Sequence, residues 1–260
     1  MRQRALQIPP AIAGFRSGVV AILIVHAALS GCAARGALQH KDAATIAWSI
    51  FIDDLHIDFR NTGRVRDGLR AMAAALIREG DTFALSCSGP SQIDFPLTTY
   101  RSFLAPALWK VTGNGLRVSD IPPSPDQASL REVRYRTTTA LRAARAALER
   151  LIQHRRLSRS PQAFVYMTNG YYAAGPEIRD AVSSLAMRAR RARIKVFVID
   201  ARAVGAVPSD LDTVSEGWAS YLTITQSSLA PLVAQTGGLA LLTRQELTDG
   251  YRRINTAMGR

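Results

Sequence analysis

Two kinds of apolar pattern alternate along the chain. Short unbroken runs, bounded by acids or glycines, read as buried strands: Thr45–Asp53 (TIAWSIFID), Thr82–Ser88, Ala163–Thr168 (AFVYMT), Ile194–Asp200 (IKVFVID) and a last short run, Leu239–Leu242. Ile93–Thr98 fits a further short strand. Between these runs apolar residues recur every three or four positions, which predicts helices over Arg64–Arg78, Thr138–His154, Pro176 to about Arg191, Leu229–Gln235 and Arg244–Ala257. Residues 112–130 are rich in Gly, Pro and Ser and read as a loop, and 201–226 read as a long irregular connection. Thr236-Gly237-Gly238 marks a turn.

Strands that alternate with helices predict an α/β fold, a Rossmann-like doubly wound sheet, mostly parallel, with helices on both faces. Such sheets bind ligands beyond the carboxyl ends of their strands, where the strand order reverses. The positions to inspect therefore follow Ile52, Tyr166 and Val198.

The first residues follow a different pattern. Arg2, Arg4 and Arg16 precede an apolar run over Gly18–Ser30 that His26 interrupts, and the run ends at Leu29-Ser30-Gly31-Cys32. A basic start, a short apolar stretch and small residues at a cut site describe a signal peptide, and the run falls short of the ~20 residues a membrane-spanning helix needs. Leu-Ser-Gly-Cys resembles the bacterial lipobox, which implies a lipoprotein with lipid attached at Cys32. The chain then divides into a leader (1–31), a tether (32–43) and one domain (44–258). Its expected place is the cell envelope, anchored to a membrane and facing the periplasm or the exterior. An ordinary cleaved signal is the plainer alternative.

Charge bears on partners. The formal net charge is +13, and +10 without the three leader arginines. Only three of the basic residues are lysines, and the arginines are scattered over several predicted helices, so the surplus does not form a nucleic-acid stripe. An exported protein would use it on anionic lipid head groups. With Cys32 acylated, Cys87 is the one remaining thiol, set in an apolar run as an inert side chain.

The candidate chemistry stands at the strand ends. Asp53-Asp54-Leu55-His56-Ile57-Asp58 follows the first strand, Thr168-Asn169-Gly170 closes the central one, and Thr137-Thr138-Thr139 opens the long helix. These pieces, with the TALRAARAALERL helix (139–151) and the closing LAPLVAQTGG segment (229–238), resemble the von Willebrand factor type A domain. More closely they resemble its exported bacterial branch, whose first strand often ends in Asp-Asp-Leu-His-like residues.

The resemblance implies a metal-ion-dependent adhesion site, in which oxygen ligands hold Mg²⁺ and leave one position for a partner's carboxylate. Asp53 or Asp54 would be the first aspartate, Thr139 the threonine, and Asn169 stands where an aspartate is usual. The two serines are replaced, by Leu55 and Ile57 in one register and by His56 and Asp58, which could ligate, in the other. The implied site is degenerate. Two readings stay open: a functional Mg²⁺ site, or a metal-free fold whose acids bond to loop amides and helix N-termini. The threonines could equally cap the helix.

Other chemistries lack their signatures. The chain has no phosphate-binding glycine loop, no G-x-S-x-G elbow and no zinc-type spacing of His and Cys. Tyr171 and Tyr172 at the end of the central strand could anchor a partner protein, or one could pack inward while the other is exposed. The expectation is a membrane-anchored protein-binding module, not an enzyme and not a nucleic-acid binder, with no cofactor beyond a divalent Mg cation. The alternatives are an exported α/β enzyme using Asp53, Asp54 and His56 as acid–base groups, or a purely structural envelope domain.

Overall fold

Six short strands make one sheet in the order β3-β2-β1-β4-β5-β6. The computed structural model describes residues 45–115, 127–172, 175–204 and 216–260, all within one compact unit, Asp42–Arg260. The leader, Cys32, the tether to residue 43 and most of the 112–130 loop lie outside the described residues. The strands are β1 (Ala47–Ile52), β2 (Thr82–Cys87), β3 (Asp94–Thr98), β4 (Gln162–Thr168), β5 (Lys195–Asp200) and β6 (Ala240–Leu241). Every pairing is parallel except β2 with β3, which places one antiparallel strand at an edge. The helices are α1 (Thr62–Leu76), α2 (Leu104–Trp109), α3 (Gln127–Leu157), α4 (Pro176–Arg191), α5 (Ala201–Val204), α6 (Glu216–Ser227), α7 (Ala230–Thr236) and α8 (Arg244–Ala257). The expected α/β, doubly wound, mostly parallel architecture is the one observed.

Alternation along β1 divides the core. Trp48, Ile50 and Ile52 face one layer, with Val65, Leu69 and Met72 of α1, Leu104 and Leu108 of α2 and Ile254 of α8. Ala47 and Phe51 face the other, with Ala140, Ala144 and Leu148 of α3 and Ile178, Val182 and Leu185 of α4. Both faces of β1 are buried throughout, which is why its sequence reads as a continuous apolar run. Gly238 brings the last turn against β5: a Cβ there would lie 1.7 Å from the Val196 carbonyl oxygen.

Two segments depart from the sequence expectation. α3 begins at Gln127, eleven residues before the predicted start at Thr138. Its added turns contain helix-forming Leu130, Arg131 and Glu132, an i,i+4 pair between Arg136 and Glu132 (2.6 Å), and a buried Val133. The three threonines thus lie inside a helix and do not cap it. The connection 201–226 is also not irregular throughout, because α5 and α6 occupy its described parts. α6 carries the β-branched run Thr223-Ile224-Thr225, and the Thr225 hydroxyl bonds back to the Tyr221 and Leu222 carbonyls (2.9 and 3.1 Å). Local preference there is weak and tertiary contacts decide.

Candidate functional site

The sheet register builds the site. β1 pairs with β2 up to Ile52↔Cys87 and with β4 up to Ile52↔Met167, so the next residue of each strand forms one polar row: Ser88, Asp53, Thr168. The row continues to Asp200, which pairs with Thr168. It lies where the chain passes to opposite sides of β1, the reversal point expected to carry a site.

Asp53 is fully buried and accepts from the Ser88 hydroxyl (2.9 Å), the Thr168 hydroxyl (2.8 Å) and His56 Nδ1 (2.9 Å), and the Tyr171 hydroxyl bonds to it as well. Asp54, equally buried, holds the turn after β2, accepting from the Gly89 and Ser91 amides (2.7 and 2.8 Å) and from Ser88 (2.8 Å). The single Ser88 hydrogen lies between two carboxylates, while its oxygen accepts from the Leu55 amide (3.1 Å). Cys87 sits beside this cluster; burial first, then the charges of Asp54 and Asp53, push its thiol far up, which makes it a poor nucleophile.

His56 spans from Asp53 to α3. A carboxylate only accepts, so Nδ1 carries the hydrogen toward Asp53, and Nε2 faces the Thr137 hydroxyl at 3.3 Å. Thr137 is fully buried. Thr139, the residue singled out from the sequence, is two positions further along the helix, about 200° around its axis. It is not among the hydrogen-bond partners of Asp53, Asp54 or His56. Asp58 also stands apart: it caps the 3₁₀ turn Phe59–Asn61 and binds the Arg60 amide and guanidinium.

The two tyrosines separate. Tyr171 is completely buried, its hydroxyl paired with that of Tyr166 and its ring edge-on to His56 at 5.1 Å. Burial, reinforced by the charge of Asp53, holds both phenols well above their ordinary pKa, so they pair as neutral donor and acceptor. Tyr171 therefore cannot be a surface anchor, contrary to one of the two sequence readings. Tyr172 is half-buried and stacks on Tyr221 with centroids 5.4 Å apart.

Asn169 is buried, and its carbonyl accepts from Arg202 (2.9 Å), which is held in turn by Asp200 (2.7 Å) and Thr225 (3.1 Å). Its side-chain oxygen has no hydrogen-bond partner among the described residues. Gly170 follows at φ +77°, and a Cβ there would lie 2.0 Å from the Thr225 carbonyl oxygen, so only glycine lets α6 approach this loop.

This arrangement does not suit the cation of an adhesion-type site. Both oxygens of Asp53 and both of Asp54 already serve internal donors, and His56 lies between the aspartate and the helix threonine. Asn169 Oδ1 is one neutral oxygen, against the six that Mg²⁺ requires. Among the described residues no group of three or more His, Cys, Asp or Glu is arranged to hold a metal.

The Asp53–His56–Thr137 order does match a carboxylate–imidazole–hydroxyl relay. The adjoining hollow, lined by Leu55, His56, Val133, Arg136, Gly170, Tyr172 and Tyr221, has a volume of about 20 Å³, room for about one water. The polar row thus acts first as a clasp joining β1, β2, β4 and α3. Ser88 and Arg202 are partners that sequence reasoning did not single out, and the strand-end position of Ser88 is the only signal for either; Thr168 and Thr137 lay within the motifs named there, but neither was given a role of its own.

No protein-family model matches the chain, and no curated protein matches it in sequence. Among solved structures it is similar to the human COPII-coat protein Sec24c, with 12% identity, a TM-score of 0.44, and coverage of 81% of this chain and 32% of that one. The chain spans about a third of that protein's length, and a likeness this low carries no functional weight.

Proposed function

We propose that this chain is a membrane-anchored, extracytoplasmic protein-binding module of the von Willebrand factor type A kind, working without a metal and without catalysis. The observation that carries the reading is the internal saturation of the strand-end acids. Asp53 and Asp54 spend their oxygens on Ser88, Thr168, His56 and loop amides, so they shape the upper loops instead of presenting charge to a ligand. A hollow of about 20 Å³ admits no ordinary substrate, which favours contact across a surface. The face offered is the half-buried Tyr172, the 53–62 loop and the first turns of α3, where Tyr135 is 67% exposed. Interface energy concentrates in such aromatic anchors.

The location belongs to the same proposal: export by the leader, acylation at Cys32, and the domain held at the envelope. Among the described residues no helix is long and apolar enough to cross a membrane.

Site-specific photo-crosslinking tests the binding face. A crosslinking residue at Tyr172, compared with one at Glu79 on the opposite end of the sheet, should give a discrete adduct in envelope extracts from the first position alone, unchanged by chelator. Equal adducts at both positions, or none, would refute the assigned face. Loss of the Tyr172 adduct on chelation would refute metal independence. Turnover of an ester, amide or glycoside by the purified chain, abolished in Asp53→Asn, would instead establish the enzyme reading.

A further inference from the structure

The helix α2 is apolar on both sides. Leu104, Ala107 and Leu108 face the core, while Phe103, Ala105, Pro106 and Trp109 cover the opposite arc and are exposed. Phe103 is 53% exposed and Trp109 57%, and Tyr100, 68% exposed, sits edge-on to Phe103. A surface helix normally turns a polar face outward, so this outward face calls for a partner.

Charge indicates which partner. From Phe95 to Ser119 the sequence contains no acid, and Arg101 and Lys110 are exposed at the two ends of the helical segment. The guanidinium groups of Arg66 and Arg70 lie over the Trp109 ring, 5.6 and 4.7 Å from its centroid. Asp94, which precedes this stretch, pairs with Arg150, and Asp67 on α1 pairs with Arg70. Exposed aromatic rings with cations at both ends of the helical segment match the head-group layer of an anionic bilayer: the rings enter the boundary and the cations meet phosphates. The net charge of +10 without the three leader arginines has the same sign.

The geometry points to a lipid-contact face formed by Tyr100, Phe103 and Trp109 with Arg101 and Lys110, which lays this edge of the domain on an anionic membrane. It needs no acyl chain and is distinct from the protein-binding loops. The ligand chemistry is a bilayer surface bearing phosphodiester head groups.

The test uses the purified full chain carrying Cys32→Ala, so that no acyl chain contributes, and reads Trp109 itself. Tryptophan emission of this chain, minus that of the same chain with Trp109→Phe, is followed on phosphatidylcholine vesicles with and without one phosphatidylglycerol in three. Brominated acyl chains serve as the quencher. The expected result is quenching of the Trp109 component by roughly half on anionic vesicles, none on neutral ones, and reversal by salt. Arg101→Glu with Lys110→Glu should weaken the vesicle affinity at least roughly tenfold, since each cation near the surface is worth ~1 kcal/mol. Phe103→Ser should reduce quenching while leaving the fold intact, because the ring is exposed. Unquenched Trp109 on anionic vesicles that nevertheless carry the protein would overturn the proposal and leave this face to a protein. Equal affinity of the charge-reversed and parent chains would overturn it as well.

Discussion

The hydroxyls of Tyr166 and Tyr171 meet in a space closed to water and hydrogen-bond one another, and that of Tyr171 also bonds to the Asp53 carboxylate. A buried hydroxyl without a partner costs about 1–3 kcal/mol, whereas removing both members of a pair leaves nothing unsatisfied. Tyr166→Phe and Tyr171→Phe should therefore each lower stability by about 1–2 kcal/mol, the second more because it also takes a donor from Asp53, and the double variant should cost less than the sum of the two. Urea unfolding of the four proteins gives the cycle, and simply additive losses would show that the hydroxyls act independently. The adjacent contact of Tyr171 with His56 makes this pair the floor on which the imidazole rests. The residue read from sequence as a binding anchor is therefore part of the support for the clasp.

Among the elements, Asp81 is the tie at the opposite end of the sheet. Its carboxylate accepts from the Ile46 amide ahead of β1 (2.8 Å), from Trp48 Nε1 (3.1 Å), from the Arg78 amide after α1 (2.9 Å) and from Arg260 (2.8 Å). Burial alone would raise its pKa, but the Arg260 guanidinium and these N–H groups together hold it below the ordinary carboxylate value. A depressed folded-state pKa contributes stability that is complete above the unfolded value of about 4 and is lost as pH falls through the folded one. Asp81→Asn should remove that part of the acid dependence, so the variant is less stable than the parent near neutrality and the two converge at low pH. Denaturant midpoints across that range check it, and a constant difference would reject the role. Legibility from sequence follows the same division. Asp53 and Asp54 stood out because they end an apolar strand. Their partnership with Ser88 and Thr168 did not, because it depends on the register of β1 against two strands distant in sequence. Thr137 was hidden among three threonines that looked like a cap, and only the length of α3 shows that it faces His56. α6, with its β-branched run Thr223-Ile224-Thr225, read as loop because what orders it, Arg202 on Thr225 and Gly170 beneath the helix, lies outside its own sequence.

At the scale of the whole molecule, two independent attachments to a membrane are proposed, and they differ in how salt acts on them. Acyl chains at Cys32 hold by hydrophobic burial, at ~0.8 kcal/mol per methylene, which salt does not weaken. The Arg101 and Lys110 face holds by Coulomb attraction, which is screened within about 8–10 Å at ordinary ionic strength. A tether of a dozen residues reaches at most ~40 Å, so a lipid at Cys32 would confine the domain near the bilayer and raise the effective concentration of that face there. Parent protein expressed in a bacterium should therefore remain in the membrane fraction through high-salt washing. Cys32→Ala should either stay an uncut precursor or be released by salt that leaves the parent bound. Adding Arg101→Glu and Lys110→Glu to a released Cys32→Ala form should move it to the soluble fraction even without salt. Normal processing and salt-resistant retention of Cys32→Ala would rule out the lipid anchor. Normal processing of that variant with no need for Arg101 or Lys110 would leave the basic surplus without a membrane role.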